Sequence, residues 1–220
     1  MKPVSTLNIW RLTWPTIISN IAFMVMGLVF LKVAGGMGTD EVAAATTGQR
    51  LFFTLHAIMM GLSSGTTALV GRYWGANDKE RAGRFAAISV IIFCIDGILL
   101  SWIAIPFREQ LVGIFGLSPE ATSLAIDFFY WTALFAPPML VSFVVSTAFR
   151  ATGDSTTPLL LALVSVAFGI YLGLAYTFGW HGLTALGLSG LAIGGGVSAT
   201  ISTVIFLLIW VLGGLSFRPS

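Results

Sequence analysis

Apolar residues run through this chain in six long stretches, at about 12–33, 51–70, 85–107, 121–148, 158–178 and 186–212, parted by segments rich in glycine, proline and charge. A hydrocarbon core about 30 Å thick is crossed by about 20 mostly apolar residues at about 1.5 Å rise each. Every stretch is long enough. The pattern therefore predicts an all-α polytopic membrane protein, with six transmembrane helices in one domain covering 1–220. Local signals mark the helix ends. Ser118-Pro119-Glu120 reads as an N-cap, a proline at the first helical position and a carboxylate in the first turn, and Asp154 to Pro158 opens the fifth stretch in the same way. Pro137-Pro138 falls inside the fourth stretch and predicts a kink there.

Composition agrees with a lipid solvent. Of 220 residues 56% are hydrophobic and 9% charged, against about 25% charged in an ordinary soluble domain. The net charge of +2 says little about partners, and no nucleic acid is expected among them. The placement of charge is more informative, because lysine and arginine collect on the cytoplasmic side. Lys2, Arg11, Arg72, Lys79, Arg81, Arg84, Arg150 and Arg218 lie on one side of the predicted bundle, against Lys32 and Arg108 on the other. That alternation places both termini in the cytoplasm, with the chain in the inner (plasma) membrane. The first stretch is interrupted by Asn20 and lacks a small-residue cleavage site, so it reads as a retained helix. Cys94, the single cysteine, offers neither a disulfide framework nor a metal cluster and reads as a small hydrophobe.

Few residues could carry chemistry. Asp96, near the middle of the third stretch, is a carboxylate at a depth where charge is expensive, and so a candidate for carrying a coupling ion or proton. Asp127, in the outer third of the fourth, is a second candidate. The competing readings are a protonated or paired Asp96 facing an internal gap, and an Asp127 reached by interfacial water. Neither has a second carboxylate or histidine at ligand spacing on its helix, so no metal site is expected. Thr16 and Asn20 share one face of the first stretch, while Gln49, Arg50 and His56 stud the outer half of the second; together they could line a polar cavity. Arg50 could instead snorkel to the headgroups, and His56 could make a hydrogen bond between helices. His181 falls in an exterior loop. Gly61 and Gly65, and likewise Gly190, Gly194, Ser198 and Ser202, recur every four residues and mark faces for close helix packing, within the bundle or against a second lobe. Gly61-Leu-Ser-Ser-Gly65 also matches the serine-hydrolase string, but that string needs a strand-to-helix turn and here lies in an apolar helix. An intramembrane serine peptidase is thus the weakest alternative, and no enzyme is expected.

Two loops carry a family resemblance. The segment from Gly65 through Gly71-Arg-Tyr-Trp-Gly-Ala-Asn-Asp78 to Ala82, and Phe149-Arg-Ala-Thr-Gly-Asp-Ser-Thr-Thr-Pro158, resemble the multidrug and toxin extrusion (MATE) family, and Leu186-Gly-Leu-Ser-Gly-Leu-Ala fits as well. The resemblance implies a secondary active antiporter, driven by Na⁺ or H⁺ and without other cofactors, exporting amphipathic, often cationic, compounds. It implies two six-helix lobes with substrate between them, of which this chain matches the first. Lobes related as parallel repeats would let a lobe with both ends inside pair with a second lobe, missing here, or with its own copy. The alternatives are a truncated lobe inactive alone and a flippase of lipid-linked substrates. One departure stands out: an aspartate that many members use in ion coupling falls at Phe30, and an asparagine and an aspartate of their fifth span fall at Gly169 and Gly173. The first-lobe ion site implied by the resemblance is therefore not expected in this chain.

Overall fold

The computed structural model describes residues 9–212. They form eight α-helices: α1 (Ile9–Met37), α2 (Thr39–Gly75), α3 (Lys79–Ala104), α4 (Arg108–Gly113), α5 (Pro119–Leu134), α6 (Ala136–Ala151), α7 (Thr156–Phe178) and α8 (Ser189–Val211). Among the described residues, by length and composition α1 (from Thr13), α3, α7 and α8 can each cross a membrane, and α5 with α6 passes the same test as a bent pair, for up to five. α2, with 37 residues, is about 55 Å long. Its stretch 51–70 holds no Asp, Glu, Lys or Arg.

The break between α5 and α6 bends the chain by 50° and has a local cause. Pro137 and Pro138 have no N–H to offer the carbonyls of Ala133 and Leu134. A neighbouring helix makes good the loss at Ala133, as a low-dielectric setting favours: Ser101 Oγ of α3 donates to its carbonyl at 2.6 Å. Just past the break, Thr203 Oγ1 of α8 donates to the Pro138 carbonyl at 2.6 Å. Gly97 lets α3 approach: a Cβ there would stand 2.5 Å from Pro137 Cα.

Two apolar cores lie on either side of this break. One gathers Val70, Phe93, Leu140, Val144, Phe149, Phe206 and Trp210. The other gathers Phe30, Ala34, Leu51, Ala104, Phe128, Phe129 and Leu191. Between α7 and α8 the backbones nearly touch. A Cβ on Gly190 would collide with the backbone at Thr177, and one on Gly194 with Gly173, while Ser198 Oγ donates to the Ser165 carbonyl at 2.6 Å.

The turns that join α2 to α3 and α6 to α7 follow one scheme. Each helix ends at a residue in the left-handed region, Asn77 (φ 60) or Gly153 (φ 90), which the next residue, an aspartate, follows as a helix cap. Asp78 accepts from the Arg81 N–H, and Asp154 Oδ1 accepts from the N–H groups of Thr156 and Thr157, both at 3.0 Å. At the other end of the bundle, Ser118 caps α5 by accepting from Ala121 N–H and donates to Asp40 Oδ1 of α2 at 2.6 Å.

Candidate functional site: two adjacent cavities

Thr46, Gln49, Arg50 and Thr54 of α2 face a cavity of about 910 Å³ bounded by α1, α2, α5, α6 and α8. Seven phenylalanines line it: Phe23, Phe30, Phe52, Phe53, Phe115, Phe128 and Phe135, with Met26 and Met139. Thr46, Gln49, Arg50, Thr54 and Thr132 supply the polar points. Among the described residues Arg50 is its only charged one, and no carboxylate lies within ion-pair distance of it. Large, mostly apolar cavities with a few placed polar groups suit bulky organic ligands.

A second cavity of about 290 Å³ shares Phe23, Phe52 and Met139 with the first and has a different lining. Asn20 of α1 and His56 of α2 face it, as do Ser142, Ser146 and Arg150 of α6, Ser165 of α7 and Ser202 of α8. His56 stacks on Phe52, with centroids 5.7 Å apart, and meets the edge of Phe143 at 5.2 Å. Its Nδ1 is buried and has no hydrogen-bond partner, and the same holds for Arg150 Nε. Sequence reasoning placed Arg150 among the cytoplasmic charges and missed the serines. The signal was present, since Ser142, Ser146 and Arg150 are four apart and so share one face of a helix.

The remaining candidates lie elsewhere. Asp96 lines neither cavity. It sits two turns past Ser89, whose Oγ accepts from Thr66 of α2 at 3.0 Å, so it shares the face that α3 turns to α2, and its Oδ2 is buried and unpartnered. Asp127 lines a separate recess with Arg108, Tyr130 and Trp131, where the Arg108 guanidinium lies 5.6 Å over the Tyr130 ring. Thr16 is half-buried on α1. Gly61 and Gly65 have nothing within 4 Å of a Cβ position, so their face is open among the described residues. Ser63 and Ser64 give their hydroxyl protons to the Met60 and Gly61 carbonyls, at 2.7 and 2.6 Å, within an unbroken helix. His181, in the loop before α8, has Nε2 2.9 Å from the Tyr171 hydroxyl.

The positions matched to the ion site of the resemblance come together in space but hold no polar ligand. A Cβ on Gly173 would lie 3.0 Å from the Phe30 ring, and one on Gly169 would lie 3.0 Å from Met26 Sδ.

A bundle of apolar helices with a broken crossing and an aromatic cavity along one side has the architecture of an integral membrane protein. The MatE family model matches residues 15–177, and the chain belongs to that family. It is 28% identical over 209 residues to the probable multidrug resistance protein YoeA of Bacillus subtilis, covering 93% of this chain and 45% of the relative. It is 26% identical over 221 residues to the probable multidrug resistance protein NorM of Neisseria meningitidis, covering 96% and 45%. Among solved structures, an outward-facing multidrug resistance MATE family transporter of the MOP superfamily superposes with a TM-score of 0.88 at 23% identity, over 100% of this chain and 49% of the other. The chain thus spans about half the length of the curated relatives it matches.

Proposed function

We propose that this lobe forms one wall of a secondary active exporter of amphipathic organic compounds, driven by Na⁺ or H⁺. The observation that carries the reading is the phenylalanine-lined cavity of about 910 Å³, with Gln49, Arg50 and Phe53 exposed along one side. A second six-helix lobe, or a second copy of this chain, would close that side, and the open face at Gly61 and Gly65 suits such an approach. In this reading α2 is the sixth crossing, its polar residues face the cavity rather than lipid, and both termini lie in the cytoplasm of a cell with this protein in its inner membrane. Asp96 and Asp127 are the proposed carriers of the coupling ion or proton. Phe30, Gly169 and Gly173 offer no ligand for it.

The test is energy-dependent efflux of fluorescent compounds from a bacterial strain deprived of its own exporters, paired with the native mass of the purified protein in nanodiscs. Extrusion that collapses when the proton or sodium gradient is removed, together with a dimeric mass, is the expected outcome for a self-assembling lobe. A monomer without efflux would instead identify a lobe inactive alone. If efflux is seen, Asp96→Asn should abolish it, and unchanged extrusion would remove Asp96 from the coupling path.

A further inference from the structure

The two adjacent cavities have the wrong sign of charge for an organic cation. Among the described residues neither is lined by an aspartate or glutamate, while Arg50 lines the larger and Arg150 and His56 the smaller. Arg150 is the more telling group. Its Nε is buried without a partner, and its helix has no use for it as a cap, since the carbonyls of Ala148, Phe149 and Arg150 already accept from the N–H groups of Thr152, Gly153 and Asp154. The nearest carboxylate in sequence, Asp154, is engaged with Thr156 and Thr157. A buried guanidinium proton left without an acceptor is costly, and a carboxylate, sulfonate or phosphate would supply one with full charge assistance.

We infer that the ligand of this lobe is an amphipathic organic anion, its acidic head in the serine-lined cavity at Arg150 and His56 and its apolar body among the phenylalanines. The proportions match: a cavity of about 290 Å³ that holds the Arg150, His56 and serine side chains abuts, across Phe23, Phe52 and Met139, one of about 910 Å³ lined by phenylalanines. Ser142 and Ser146, on the same face of α6 as Arg150, supply hydroxyl donors to the remaining oxygens of the head. Phenylalanine faces also attract cations. A cation here, however, meets like charges at Arg50 and Arg150 and no carboxylate to answer it, whereas an anion meets two guanidinium groups. The inference rests on the exporter reading only in placing the ligand in a transport path; the binding preference stands on the cavities alone.

The experiment uses two pyrene probes of equal body and opposite head, pyrenebutyrate and its trimethylammonium counterpart. Each is titrated by fluorescence onto the full chain in nanodiscs, with empty nanodiscs subtracted. The anion should bind at least about tenfold more tightly than the cation, and Arg150→Gln should weaken it by about tenfold or more, as expected for loss of a charge-assisted hydrogen bond. Arg150→Lys, which keeps the charge, should retain most of the preference, and Ser146→Asp should reverse it. Equal or tighter binding of the cation, or anion binding indifferent to both Arg150→Gln and Ser146→Asp, overturns the inference. Gradient-driven movement of the same probes in proteoliposomes separates the two readings. Arg150-dependent anion binding without movement supports the anion site and sinks the exporter reading for this chain. Movement of the cation alone supports the exporter and sinks the anion site.

Discussion

The ring of Phe30 fills the space that a side chain on Gly173 would need: Cε1 and Cζ each lie 3.0 Å from the position of a Cβ there. In the resemblance these two positions carry acidic groups; here they are a large and a small apolar residue fitted to each other across α1 and α7. Gly173→Ala should therefore cost about 1–3 kcal/mol through overpacking, read as a lowered unfolding midpoint in detergent. In a Phe30→Leu background the penalty should shrink, and equal penalties in both backgrounds would show that the pair is not coupled.

Glycine spacing gives a second contrast. Gly194→Ala would drive a methyl into the Gly173 backbone, whereas a methyl at Gly61 or Gly65 meets nothing within 4 Å. The first substitution should prevent stable folding or cost more than about 3 kcal/mol. Gly61→Ala and Gly65→Ala should leave the thermal midpoint of the lobe unchanged or raise it by the equivalent of about 0.5–1 kcal/mol. Under the proposed assembly the latter two should weaken the dimer in a native mass measurement.

At the helix break, Ser101→Ala removes the hydroxyl from the Ala133 carbonyl that Pro137 leaves without its helical donor. The expected loss is about 0.6–1.7 kcal/mol, the range measured for side-chain hydrogen bonds between membrane helices. Ser101→Thr, which keeps a hydroxyl at the site, should retain most of that stability, and a loss equal to that of the alanine variant would discount the bond.

The cap of α7 predicts a further effect. Asp154 meets two backbone N–H groups and the Thr157 hydroxyl, so Asp154→Ala should cost about 0.5–2 kcal/mol. Asp154→Asn, which keeps an acceptor oxygen, should cost less. Hydrogen exchange in the first turn of α7 should rise for the alanine variant more than at its C-terminal end, and uniform exchange along the helix would contradict the capping role.

Much of this was legible wherever the sequence dictates local backbone chemistry. Pro137-Pro138 announced the break, and Asp154 and Ser118 announced helix starts, because missing N–H groups and capping oxygens act within a turn of themselves. The polarity of Gln49, Arg50 and His56 within an apolar run pointed to a cavity for the same reason. What the sequence left open was what stands opposite a face. Gly61 and Gly65 have the same spacing as Gly190 and Gly194, yet one pair looks onto open space and the other onto the α7 backbone. Spacing fixes which side chains share a face and carries no information on the neighbour. Arg150 illustrates the same limit: its charge placed it at the cytoplasmic end, and only the packing of α6 against α2, α7 and α8 turned it towards an internal cavity.

The turns at 76–78 and 152–155 have a mechanical consequence. Each is anchored on both sides by backbone hydrogen bonds and an aspartate cap, and neither holds slack enough for one helix to slip a turn of about 5.4 Å past its neighbour. α2 with α3, and α6 with α7, must therefore tilt as paired levers. In the proposed exporter, a cycle that exposes Arg150 to one side of the membrane and then the other would draw on rotations of such pairs, with the bend at Phe135 as fulcrum.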